Sequence, residues 1–146
     1  MKKCVYILLA MYTLFIIGCG TDAKTHAEQA SQPVITVSIE PLRYITEQIV
    51  GDRFQVMTFV PEGKNPESYD PSPQQIMRLH QSPLFLMIGD LGFERMWSDK
   101  ISEMLPEINI VKISSVKDNA DPHVWTSPDN MRKIAQNIFQ VVCALD

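Results

Sequence analysis

Hydrophobic positions between residues 33 and 146 follow two alternating patterns. Short β-branched or wholly apolar runs, bounded by proline, glycine or polar residues, predict strands at 34–39, 55–60, 84–88 and 109–113. Between and after these runs, apolar residues recur at helical spacing and predict helices at 42–50, 74–81, 93–104 and about 129–144. This alternation is typical of an α/β fold, in which a parallel sheet is flanked by helices on both faces.

Two long loops, at 61–73 and 114–127, separate some of these elements. The first contains four prolines and a glycine, which exclude regular structure, and the second is mostly polar. Each loop follows a predicted strand, and ligands of such sheets bind outside the carboxyl ends of the strands. The two loops are therefore predicted to lie at the same end of the sheet, as a shared binding site requires. The first loop ends in Ser72-Pro73, and the second ends at Ser127, directly before Pro128; this Ser-Pro pattern favours the start of a helix.

The first 18 residues have the pattern of a secretory signal. Lys2 and Lys3 precede an almost wholly apolar stretch, 5–17, which is too short for a comfortable membrane-spanning helix. The stretch ends at Gly18 and Cys19, and a small residue directly before a cysteine resembles the lipobox of bacterial lipoproteins. This pattern predicts cleavage before Cys19 and attachment of a lipid to its thiol. The alternative is a plain N-terminal anchor helix with an incidental cysteine.

The rest of the chain divides into a predicted tether and one predicted domain. Residues 19–32 are polar and lack an apolar period, which predicts a flexible segment ahead of a domain at 33–146. Residues 1–18 hold two lysines and no acid, so their removal changes the net charge from −4 to −6. An acidic chain without a basic patch argues against a nucleic-acid partner.

The cysteines after the predicted signal are Cys19 and Cys143. Because Cys19 would carry the lipid, no intramolecular disulfide is expected in the cleaved chain. Cys143 lies in an apolar stretch near the end of the sequence. We predict that it is a small buried core residue rather than a reactive thiol.

The second loop contains the candidate for metal chemistry. Its end reads Asp-Pro-His-Val-Trp-Thr-Ser-Pro over 121–128, with His123 between Pro122 and Trp125. Neutral imidazole is a common ligand for zinc, the proline stiffens the backbone, and the tryptophan would shelter a site from water. Taken alone, a single histidine fits a loop residue bonded to backbone better than a metal ligand. His80, on a predicted helix, is interpreted as a surface residue.

Three segments resemble motifs of one known family. Residues 121–128 resemble the DPHxWxSP motif of the zinc and manganese solute-binding proteins of ABC transporters, the ZnuA/TroA-like cluster A-I family. Residues 38–42 resemble that family's first strand exit, and residues 60–73 resemble its VPPGxxPHxYEPxP loop. The resemblance covers most of 34–138, in the same order. It implies one lobe of a two-lobed protein that holds metal between its lobes, with His123 as a ligand.

The loop motif departs from the family at one ligand position. The family's histidine there is Glu67 in this chain. A carboxylate can also ligate zinc or manganese, so the predicted ligands are Glu67 and His123, although Glu67 is equally compatible with a solvated loop acid. Asp70 matches the family's loop acid and is interpreted as structural. The resemblance places the remaining ligands in a second lobe, and we therefore expect this chain alone to bind metal weakly.

The resemblance implies a function in metal import. That function is extracytoplasmic capture of a divalent ion, zinc first and manganese next, for delivery to an ABC permease. The protein would be anchored to a bacterial membrane through lipid on Cys19 and would act by ligation, not as an enzyme. Two alternatives stay open: a metal-independent surface adhesin, and a metal-dependent hydrolase built on Asp121 and His123. The sequence contains no HExxH, GxSxG or P-loop pattern that would favour a hydrolase.

Overall fold

The structure, a computed structural model, describes residues 32–114 and 121–145. In this part of the chain, four strands alternate with helices. The strands are β1 (Val34–Val37), β2 (Gln55–Thr58), β3 (Leu84–Met87) and β4 (Asn109–Lys112). The α-helices are α1 (Glu40–Val50), α2 (Pro73–Leu79), α3 (Gly92–Met104) and α4 (Pro128–Cys143), with short 3-10 turns at Gly51–Arg53 and Val124–Thr126. Every predicted strand and helix is confirmed.

The four strands form one parallel sheet in the order β2-β1-β3-β4. The chain moves from β1 to β2 in one direction and from β2 to β3 in the other. Right-handed crossovers therefore place α1 on one face of the sheet and α2 and α3 on the opposite face. Helix α4 packs on α1. The predicted α/β fold is confirmed, and β3 is buried along its whole length, as its unbroken apolar run indicates.

The strands end one or two residues before the predicted ends. The apolar runs of the sequence extend past the strand ends because the residues just beyond each strand are still buried and hydrogen-bonded. Phe59 N, for example, donates to Val37 O at 2.8 Å, and Ile113 N donates to Met87 O at 2.9 Å. The loops that follow these hydrogen-bonded residues therefore begin at the carboxyl edge of the sheet.

The two Ser-Pro signals both mark helix starts, but they work differently. At α2, Ser72 and Gln75 form a reciprocal capping box, and Pro73 is the first helical residue. At α4, Ser127 occupies the cap position before Pro128 without a side-chain cap bond. The fixed backbone angle of proline is thus the signal common to both starts.

The prediction that Cys143 is buried was wrong, because the thiol is exposed. The buried positions of α4 are Ile134, Ile138 and Val142, which follow one another at four-residue spacing. Cys143 lies about 100° around the helix from Val142 and so points away from that stripe.

The signal peptide, the tether up to residue 31 and Cys19 lie outside the described residues. Within 32–114 and 121–145, no helix is long and apolar enough to cross a membrane.

Candidate metal site

The loop at 61–73 is docked onto the first turn of α3. Phe93 N donates to Pro66 O at 3.1 Å, and Gly92 N donates to the Oε2 atom of Glu67, also at 3.1 Å. A Cβ atom at Gly92 would lie 2.8 Å from the carbonyl carbon of Glu67 and closer still to its oxygen. Only glycine allows the two backbones to approach so closely. Glu67 therefore caps the positive end of α3.

An aromatic cluster holds the same loop from the inside of the fold. The rings of Phe59 and Phe93 stack with centroids 5.9 Å apart. Tyr69, from the loop, meets both rings edge-on, at 6.4 Å from Phe59 and 6.2 Å from Phe93. Since Phe59 and Phe93 are buried, this packing ties the loop to the end of β2 and to the start of α3.

The two carboxylate oxygens of Glu67 have different surroundings. Oε2 accepts from Gly92 N and lies 3.8 Å from the Nη2 atom of Arg95. Oε1 is buried and has no hydrogen-bond partner among the described residues. Leaving a buried acceptor unsatisfied costs about 1–3 kcal/mol, and more for a charged group. The carboxylate thus has one oxygen that a cation would satisfy.

His123 is held by its own loop. Its Nδ1 atom lies 2.7 Å from Asp121 Oδ1, and its backbone N donates to the same oxygen at 2.9 Å. The pKa of Asp121 is lowered by the backbone N–H of His123 and then by the imidazole, so the carboxylate stays ionised. A histidine that donates from Nδ1 to a carboxylate presents the lone pair of Nε2, the arrangement of many zinc ligands. The side chain of His123 is 48% exposed and therefore accessible.

Trp125 connects the two loops. Its ring centroid lies 5.1 Å from that of His123. It also lines a cavity of about 240 Å³, whose other walls come from the exit of β1 and from the first half of the 61–73 loop, including Pro66 next to Glu67. The parts of the two loops that the structure describes therefore meet at the carboxyl end of the sheet, as the topology predicts.

The site residues are not gathered into a full coordination sphere. Glu67 is bonded by Gly92 and faces Arg95, whereas the ring of His123 contacts Asp121 and Trp125. Among the described residues, no three His, Cys, Asp or Glu side chains are arranged to hold a metal ion. Zinc sites usually use three or four protein ligands, and the described residues do not bring that number together at one point.

His80 and Asp70 lie outside this arrangement. His80 is exposed at the end of α2 and lines a different cavity, with Ser82 and Leu105. Asp70 is exposed on the loop, and its structural role stays a prediction.

The sequence interpretation missed Glu94, the third residue of α3. This side chain is 0% exposed. Its carboxylate accepts from Ile88 N at 2.9 Å, Gly89 N at 2.6 Å and Leu91 N at 3.3 Å. Burial raises the pKa of Glu94, and the hydroxyl of Ser38 and the three backbone N–H groups oppose that shift. A glutamate at the third position of a helix is the available sequence signal, because it can reach back to backbone N–H groups before the helix.

The parallel sheet flanked by helices, with two loops meeting at its carboxyl end, has the architecture of one lobe of a solute-binding protein. The family model described as zinc-uptake complex component A, periplasmic (ZnuA), matches residues 35–146. The chain belongs to this family.

Similar proteins include metal-binding lipoproteins. The manganese-binding lipoprotein MntA of Halalkalibacterium halodurans is 28% identical over 145 residues, which span 94% of this chain and 48% of the relative. A putative metal-binding protein of Chlamydia muridarum is 32% identical, over 95% of this chain and 51% of its own length. The chain therefore spans about half the length of these curated relatives.

Solved structures show the same likeness. A crystal structure of ZnuA is 32% identical and matches with a TM-score of 0.70, over 77% of this chain and 47% of that one. A ZnuA deletion mutant with zinc bound matches with a TM-score of 0.71, also at 32% identity and over 77% of this chain and 46% of that one. The two-lobed ZnuA structures thus match this chain over one lobe, which confirms the fold expected from the sequence motifs.

Proposed function

We propose that this protein captures a divalent metal ion outside the cytoplasm, zinc first and manganese next, for delivery to an ABC permease. The observation that carries the proposal is the Asp121–His123 pair, 2.7 Å apart at the carboxyl end of the sheet, with Nε2 of the accessible imidazole left for a metal. The names of similar proteins, which include a manganese-binding lipoprotein and zinc-bound ZnuA, support the choice of cargo.

The proposed mechanism is ligation without bond-making chemistry. His123 would supply Nε2, and Asp121 would orient the ring and keep the proton of the metal-binding imidazole on Nδ1. Glu67 would supply Oε1, the oxygen that lacks a hydrogen-bond partner. Because two ligands bind a metal less tightly than four, the lobe would contribute its share to a site completed elsewhere.

The proposed layout of the chain follows the sequence. Residues 1–18 would be a signal peptide, Cys19 the lipid-bearing residue, 19–32 a tether and 33–146 the metal-binding lobe. The protein would then lie on the outer side of a bacterial membrane, next to its permease. Mass spectrometry of protein extracted from membranes tests this layout, because a Cys19→Ser variant should lose the diacylglycerol mass.

A calorimetric titration with Zn²⁺ and then Mn²⁺ tests the metal role. We expect weak binding by the unmodified protein and a loss of binding in His123→Ala. His80→Ala, which removes an exposed histidine outside the site, is the matched control and should bind as the unmodified protein does. Equal binding by His123→Ala and the unmodified protein would contradict the proposal. A tight one-to-one complex of the unmodified chain would contradict the expectation that this chain lacks a full set of metal ligands.

The same variants separate the alternatives. The family is described as a component of zinc uptake, and we infer no catalytic role for the chain. Metal-stimulated hydrolysis that disappears in His123→Ala would instead support the hydrolase hypothesis. Partner binding that persists unchanged after chelation would support the adhesin hypothesis.

A further inference from the structure

Glu94 is a buried acid whose bonds reach beyond its own helix. An ordinary glutamate at the third helical position bonds the N–H at the helix cap, here that of Leu91, and this is the longest of its three bonds at 3.3 Å. The shorter bonds go back to Ile88 and Gly89, at the exit of β3. The carboxylate therefore fixes the whole turn that joins β3 to α3. Burying an acid costs free energy. A turn that is held at this cost is expected to contribute something to the protein in return.

Two groups of α3 next to that turn contact Glu67. Gly92, the residue directly after the turn, donates its N–H to Glu67 Oε2 at 3.1 Å. Arg95 donates from Nη1 to the carbonyl oxygen of Asp90, inside the turn, and its Nη2 lies 3.8 Å from the same Oε2. The direction of the Gly92 N–H and the position of the guanidinium thus both depend on the conformation that Glu94 holds.

We propose that Glu94 is a positioning residue that orients Glu67 for metal through the turn at 88–91 and the Gly92 N–H. The inference rests on the proposed function, since it takes Glu67 as a ligand. With Oε2 held by Gly92, the buried Oε1 is the oxygen left without a partner, and Glu67 would bind the ion through that single atom. A loop carboxylate fixed in this way loses less conformational entropy on binding than a free one.

A double-mutant cycle on zinc affinity tests this role. The variants are Glu94→Gln, Glu67→Ala and the two combined, and Glu103→Gln is the matched control, because Glu103 is an exposed glutamate on the same helix. Loss of a residue that orients a metal ligand typically lowers affinity about 10-fold or more. We expect about that loss from Glu94→Gln in the unmodified background and none in the Glu67→Ala background. Equal losses in both backgrounds would reduce Glu94 to a general structural residue and overturn the proposal.

Two further measurements keep the outcome decisive. Circular dichroism checks that each variant folds. If Glu94→Gln does not fold, amide NMR of the protein with native Glu94 replaces the cycle: the Gly89 and Gly92 N–H signals should shift with the same zinc dependence as His123, and these shifts should disappear in Glu67→Ala. Gly89 and Gly92 amide signals that do not change during the zinc titration would overturn the positioning role. If His123 responds to zinc and Glu94→Gln has no effect, only this inference fails; if His123 does not respond, the proposed function fails as well.

Discussion

The two loops that carry the candidate ligands are held in different ways. The 61–73 loop is fixed by contacts with residues distant in sequence, and the bond between Gly92 and Glu67 spans 25 positions. The loop around His123 is fixed by neighbours: Asp121 bonds the imidazole, and Thr126 donates from its hydroxyl to His123 O at 2.8 Å. The position of Glu67 thus depends on the packed fold, whereas that of His123 depends on its own motif. Substitutions at the first loop should therefore affect folding, and those at His123 should affect binding alone.

The largest expected effect comes from the aromatic cluster under the first loop. Phe93→Ala removes a side chain that is 0% exposed and contacts both Phe59 and Tyr69. It should lower the free energy of unfolding by about 3–5 kcal/mol, measured by urea titration. Phe139→Ala, at a position that is 58% exposed on α4, is the control and should change stability little. Similar losses from the two variants would show that the cluster has no special role.

A smaller loss should follow from crowding the contact between the loop and α3. Gly92→Ala places a Cβ against the backbone of Glu67, which must move away. The expected loss is about 1–3 kcal/mol, although alanine is the better helix former. Ser102→Ala, on the exposed side of the same helix, controls for helix propensity and should be neutral or slightly stabilising. A stabilised Gly92→Ala variant would mean that the loop is not docked as described.

The buried acid of the same region should give a pH signature. Because the pKa of folded Glu94 is raised above its ordinary 4.5, its neutral form is favoured in the folded state. The stability it contributes is fully present below that ordinary value and is lost as the pH rises through the raised pKa. Glu94→Gln stays neutral, so its stability deficit relative to the unmodified protein should shrink with rising pH. Urea titrations of both proteins at a series of pH values above 4.5 measure this deficit. A deficit that grows as the pH rises would contradict the prediction.

The smallest effect on stability is expected at His123. His123→Ala removes a half-exposed side chain with local contacts and should change the free energy of unfolding by about 0.5 kcal/mol or less. The same variant should lose zinc binding. A large loss of stability would show that His123 has a tertiary role and would remove the contrast between the loops.

The sequence predicted best what depends on neighbouring residues. Helices and strands followed from local periodicity, and the Asp121–His123 pair lies within one motif. The burial of Cys143 was mispredicted, because an apolar stretch does not show which side of a helix faces the core. The capping role of Glu67 could not be predicted, since it requires knowing that the first loop docks on the start of α3, 25 positions away. Glu94 had the local signal of a third helical position, but that signal does not show how deeply the side chain is buried. The strand order β2-β1-β3-β4 was not predicted either, because several orders suit the same alternation.

The most direct test of the metal site is NMR of the histidine ring nitrogens during a Zn²⁺ titration. If His123 is a ligand oriented by Asp121, its Nε2 signal should shift strongly, Nδ1 should keep the signature of a protonated nitrogen, and the ring of His80 should be unaffected. Glu67→Ala should weaken the response of His123 without removing it. A ring of His123 that stays unchanged, or that shifts no more than that of His80, would contradict metal capture by this lobe.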